Sequence, residues 1–166
     1  MGEEKIVFEQ SVKQKGLFPY ADLYNFCYNW FKNENYDLAE EEYTEKVSAG
    51  GKEIIIKWKA WRKITDYYKY VYEVKWHILG MADAEAEENG KKIKTNKGEV
   101  KIVVKAKVNR DYEETWDRVP FYKFLRGIYD MYIMRTTNEQ YEDVLVGKAQ
   151  SFVEDTKAFL NLEGKR

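Results

Sequence analysis

The sequence predicts an α+β fold: a curved, mostly antiparallel sheet of about six strands, with one N-terminal helix and two C-terminal helices packed on one face. Three observations carry that expectation. Apolar residues recur with a period of two over several stretches between residues 5 and 108. Helical spacing appears at residues 20–31 and again beyond residue 120. Turn-forming residues fall at the junctions between these segments. A length of 166 residues suits one domain, 1–166, and 44% hydrophobic content is enough to bury a core and excludes a chain disordered throughout.

Taken in order, Ile6, Phe8 and Val12 alternate with Val7, Glu9 and Ser11, which predicts a first strand over residues 5–13, ended by Gly16. Pro19 stands where the first turn of a helix tolerates proline. Tyr20, Leu23, Tyr24, Cys27, Trp30 and Phe31 then make one apolar stripe, closed by Asn33, Glu34 and Asn35. Residues 37–48 are acidic and alternate only weakly. Past the Gly50–Gly51 turn, Ile54, Ile56, Trp58 and Ala60 share one strand face, opposite Lys57, Lys59 and Lys63.

The sharpest alternation follows the turn at Thr65 and Asp66. Tyr68, Tyr70, Tyr72, Val74, Trp76 and Ile78 lie on one face, and Lys69, Glu73, Lys75 and His77 on the other. Gly80 marks a bulge or bend, Ala82 to Glu87 continues extended, and Asn89–Gly90 reads as a tight hairpin turn. Val100, Ile102, Val104, Ala106 and Val108 line the last strand, opposite Lys101, Lys105 and Lys107. Helical spacing returns with Phe121, Phe124, Leu125, Ile128 and Tyr132 after Pro120. A second helix is expected from near Thr137, which has capping-box spacing to Gln140, through Tyr141, Leu145, Ala149, Phe152, Thr156 and Phe159 or Leu160 to about Leu162.

This order of elements resembles that of helix-grip domains, the START-like and polyketide-cyclase-like superfamily. The resemblance covers most of the chain as element order and alternation. It implies a curved antiparallel sheet wrapped on a long C-terminal helix, with an apolar cavity between them. The two expected C-terminal helices depart from the single long helix of that pattern. The joint richness in Lys, Glu, Asn, Ile and Tyr is similar to that of small microbial proteins, archaeal ones among them.

Composition narrows function mainly by exclusion. A net charge of −1 supplies no global field for nucleic acid or acidic membranes. One cysteine permits no intrachain disulfide, and a reducing, cytoplasmic setting is the simplest expectation. The first residues lack the apolar core of a signal peptide, and the longest uncharged stretch, residues 23–31, is about half of a membrane span. No transmembrane segment is expected. Cys27 and His77 share no motif, so a catalytic thiol–imidazole pair is not expected. One His and one Cys are too few for a zinc site, and no glycine-rich phosphate loop is present. No catalytic residue, metal or cofactor is therefore assigned.

The acidic clusters Glu40–Glu41–Glu42 and Asp83–Glu85–Glu87–Glu88 face lysine-rich strands, and read as a neutralising sheet exterior. That exterior, with Trp61, Tyr67 and Val71 among its lysines, carries a third reading as an RNA- or single-stranded-DNA-binding face, weakened by the nearby acids. Aromatics at 16% point elsewhere. Trp58, Tyr68, Tyr70, Tyr72 and Trp76, with Phe124 and Ile128, are the expected lining of a cavity for an apolar or aromatic small molecule. The competing expectation is that these rings simply fill the core. In that case Tyr122, Tyr129, Met131 and Ile133 offer a surface for a homodimer or a protein partner. Basic charge around this helix is too sparse to favour membrane-surface attachment.

Overall fold

The computed structural model describes residues 3–110, 121, 124, 125, 128 and 135–164. Its elements are β1 (Glu3–Leu17), α1 (Tyr20–Asn33), β2 (Asp37–Ser48), β3 (Gly51–Lys63), β4 (Tyr68–Glu88), β5 (Lys91–Arg110) and α2 (Arg135–Gly164). They form a curved sheet in the order β1-β5-β4-β3-β2, antiparallel at every pairing. Strands β2 to β5 are a meander, and β1 closes the sheet beside β5.

Five strands stand where about six were expected. Ala82 to Glu87 is not a separate strand but the far half of β4. A register shift between Leu79 and Ala82 carries the ladder past Gly80, whose φ of 61° lies in the left-handed region that favours glycine. Gly51 (φ 112°) lies against this point. A Cβ there would sit 2.7 Å from the Gly80 carbonyl carbon, so two glycines let the turn into β3 meet the bulge. Beyond it, Asn89 and Gly90 both have positive φ, as the expected hairpin turn requires.

The described residues hold two complete helices, not three. Of the helix expected after Pro120, Phe121, Phe124, Leu125 and Ile128 are described and helical; Tyr122, Tyr129, Met131 and Ile133 lie outside the described residues. The last helix begins at Arg135, two residues ahead of the expected cap at Thr137, and runs for 30 residues.

Two bonds from Asn96 in β5 fix the start of α1. Its backbone oxygen accepts from Phe18 N (2.9 Å), and its side-chain Oδ1 accepts from Tyr20 N (3.0 Å). Asn35, with φ 64°, ends the helix in the left-handed region, and Tyr36 N returns to Phe31 O (2.9 Å). Leu23, Cys27 and Phe31 are the buried stripe, as the spacing predicted.

Alternation in β4 fixes which face is the core. Tyr68, Tyr70, Tyr72, Val74, Trp76 and Ile78 are buried, while Lys69, Glu73, Lys75 and His77 are more exposed. Helix α2 packs on β1 and β5 and touches α1, which reaches β2. Leu145, Ala149, Phe152, Val153, Thr156 and Leu160 are the buried side of α2. One expected core residue moves. A bulge at Val7 shifts the register between Ile6 and Phe8, so Ile6 pairs with the outward Lys107 and is 53% exposed.

Candidate functional site

Three of the expected cavity residues serve the junction with the helices by filling it. Tyr68 stacks on Tyr141 of α2 (centroids 4.1 Å) and its hydroxyl bonds Asn138 Oδ1. The Tyr70 hydroxyl donates to Tyr141 O at 2.7 Å. Tyr72 meets Phe31 (5.0 Å) and Tyr36 (5.2 Å), and Phe152 meets both Trp30 and Phe31 at 4.9 Å. Phe124 and Ile128, expected inside with them, are exposed at 65% and 40%.

Trp58 and Trp76 lead to a different place. They touch each other (5.2 Å, 63°) on the inner face of β3 and β4, under α1 rather than α2. Tyr24 of α1 sets its ring edge-on to Trp58 at 5.0 Å and lies 6.2 Å from Trp76. Tyr20 and Tyr28 flank Tyr24 one turn either side, at 6.3 and 6.5 Å. The rim is edge strand β2. Tyr43 shares a hydroxyl–hydroxyl bond with Tyr20 (2.8 Å) and is 44% exposed.

Glu40 completes the rim. Its Oε1 accepts from the Tyr24 hydroxyl (2.7 Å) and from Trp58 Nε1 (3.2 Å). It reaches this side because β2 bulges between Glu40 and Glu42. Glu40 pairs with inward Trp58, while Glu42 pairs with outward Lys57. Glu40 has no ion-pair partner among the described residues.

Burial first, and the Tyr43 bond second, raises the Tyr20 pKa well above the usual phenol value. Burial and then the bond to Glu40 push Tyr24 up to about 12. Both hydroxyls are thus protonated donors at neutral pH. At the floor, Trp76 is 0% exposed and its Nε1 has no hydrogen-bond partner among the described residues. A buried donor without an acceptor costs about 1–3 kcal/mol, so it is an unusual thing to leave beneath a rim of polar hydroxyls.

The remaining candidates separate. Cys27 is fully buried against Thr156 Oγ1 (3.9 Å), and burial pushes its thiol up to about 12. His77 is on the opposite face of the sheet, 3.2 Å from Glu53 Oε1. The two are not assembled as a pair. Outward lysines find acids, as Lys107 does with Glu73 (2.8 Å) and Lys52 with Glu45 (3.2 Å). No group of three or more metal-capable side chains gathers among the described residues. A surface hollow of about 590 Å³ lies between the start of α1 and the β4–β5 hairpin, and another of about 470 Å³ runs between α1 and α2 beside Phe26 and Phe159. Neither is bordered by Trp58, Tyr70 or Trp76.

Sequence reasoning found Trp58 and Trp76 but missed Glu40, Tyr20, Tyr24 and Tyr43 as their partners. The weak alternation of residues 37–48 was the trace of the bulge that sets Glu40, itself exposed, beside Trp58. The molecule is thus an α+β protein whose meander sheet carries an aromatic, carboxylate-edged corner under its first helix. No helix of the described residues is long and apolar enough to cross a membrane. No protein-family model matches the chain, and no curated protein matches it in sequence.

Proposed function

We propose that this is a non-catalytic binding domain for an apolar or aromatic small molecule with a polar end, received on the inner face of the sheet where Trp58 and Trp76 lie under α1. The observation that carries the reading is the buried Trp76 indole N–H, which has no acceptor among the described residues. A ligand oxygen or nitrogen reaching it removes a desolvation cost the free protein bears. Ring walls supply apolar contact, and the protonated Tyr20 and Tyr24 hydroxyls supply orientation. Tyr43 and Glu40, both exposed, stand at the edge from which a ligand would approach. The likeness in element order to helix-grip domains favours a binding role as well.

Uptake of the neutral fluorophore phenylnaphthylamine, with native mass spectrometry for copurified small molecules, tests this. Trp76→Phe keeps an aromatic ring and removes the N–H. The wild type should take up the probe or retain a ligand, and Trp76→Phe should weaken retention of a ligand bearing an acceptor. A folded protein with no uptake and no copurified molecule would reject the proposal.

A second reading has its own observation. Phe121, Phe124 and Ile128 are exposed together at helical spacing, which suits a homodimer or a protein partner. Light scattering across a concentration series, with Phe124→Glu as control, separates this reading from the first.

A further inference from the structure

We propose that the rim of the corner is a subsite for an alkylated ammonium group, with Glu40 as the counter-charge and the half-buried rings of Tyr24 and Tyr20 as its walls, over the buried Trp58. The inference rests on the binding-domain reading and names the polar end of its ligand. The first ground is an unneutralised carboxylate. Glu40 uses Oε1 for both the Tyr24 hydroxyl and Trp58 Nε1, and no described residue occupies Oε2. The lysines of its partner strand, Lys57 and Lys59, have the opposite parity from Trp58 and so point to the other face.

The second ground is the disposition of the rings. Tyr20 and Tyr24, both half-buried, meet at 69°, so the two walls form a corner rather than a flat stack. A cation in such a corner is attracted by the negative faces of more than one ring. The next ring in the row already does this within the chain: Lys32 Nζ lies 5.6 Å from the Tyr28 centroid.

The third ground selects among cations. A primary ammonium has three N–H donors and a tightly held hydration shell. Here it would find one free carboxylate oxygen, with ring faces elsewhere. A methylated ammonium has few or no N–H groups to satisfy and is weakly hydrated, so ring faces and one unpaired charge suit it. Tyr20 and Tyr24 stay neutral, so among the described residues Glu40 is the charged group that bonds to this corner.

The test is a titration of the full chain with choline, with ethanolamine and with the neutral tert-butyl isostere of choline, read by tryptophan fluorescence and by the indole N–H resonances. Choline should bind about tenfold more tightly than the isostere, the scale of a partly desolvated cation–π contact. It should also bind more tightly than ethanolamine. Glu40→Gln, which keeps both acceptor bonds, should erase most of the preference for charge, and Tyr24→Leu should remove binding while Tyr24→Phe retains it. Thermal melts of each variant establish that it is folded. Equal binding of choline and its isostere, no choline binding, or an unaffected Glu40→Gln variant would overturn the subsite. Phenylnaphthylamine in parallel separates the two readings. Uptake of that probe without choline selectivity removes the subsite and keeps the binding domain; failure of both ligands removes both.

Discussion

Two indoles 5.2 Å apart on one sheet face differ in their hydrogen bonding: Trp58 Nε1 donates to Glu40, and Trp76 Nε1 has no acceptor among the described residues. Replacing each by phenylalanine therefore separates packing from hydrogen bonding. Both substitutions shrink a buried side chain, and partial relaxation around the smaller ring costs about 1–2 kcal/mol in each, below the cost of truncation to alanine. At Trp58 a bond to a charged acceptor is lost as well, adding about 1–2 kcal/mol after allowance for the partial exposure of Glu40. At Trp76 the same change deletes an unpaired buried donor and returns about 1–3 kcal/mol. Trp58→Phe should thus destabilise by about 2–4 kcal/mol, and Trp76→Phe by about 1 kcal/mol or less. Urea unfolding followed by far-ultraviolet circular dichroism measures both, with unchanged m-values as the condition for comparison. A Trp76→Phe loss equal to or larger than that of Trp58→Phe would refute the reasoning. The indole of Trp76 would then be satisfied in the folded chain, and the main support for the ligand site would go with it.

Further predictions follow the same physical lines. Gly51→Ala should lose about 1–3 kcal/mol in the same assay, because its Cβ would meet backbone, which cannot swing away, at a positive φ; an unchanged midpoint would show that the β3 turn and the β4 bulge are not in contact. Stability should fall as pH rises from about 9 toward 12, since the unfolded chain releases the Cys27 proton at its ordinary pKa while burial holds it in the folded state up to about 12. Cys27→Ala should flatten that slope, and the native thiol should resist alkylation at neutral pH. In the β4–β5 hairpin, Glu85 faces Lys94, Glu87 faces Lys92 and Glu88 faces Lys91. Amide exchange there should quicken in high salt relative to the sheet centre, as screening weakens each cross-strand pair; salt-independent exchange would count against that account.

The parts of the fold that were legible share one property: period-two patterning uninterrupted by a bulge. In β4, every second residue from Tyr68 to Ile78 is buried, with Val71 the one buried residue of the other parity, so face and register followed directly from the residues. The stripe of α2 from Leu145 to Leu160 was legible for the same reason at helical period. Bulges defeat this reasoning, since one extra residue reverses every later side chain. Ile6 was expected inside and faces outward because Val7 is the extra residue. Glu40 was expected on the exterior and is exposed, but its bonds to Trp58 and Tyr24, set by the bulge after it, were not foreseen. The site thus fell into two halves. Its tryptophans lie on regular strands and were found. Its carboxylate lies beside an irregularity, and its tyrosines lie on the flank of a helix whose stripe reads as core.

Both outermost strands of the sheet carry one of these irregularities, β1 at Val7 and β2 at Glu41. An outermost strand normally offers a row of open amides and carbonyls on which another molecule can template. Here each such row is interrupted, and β2 adds Glu40, Glu41, Glu42 and Glu45 along its length. The extra residue that builds the aromatic corner at Glu40 therefore also discourages fibrous, strand-by-strand growth. Straightening β2 by deleting Glu41 would disturb the corner and the protected edge together.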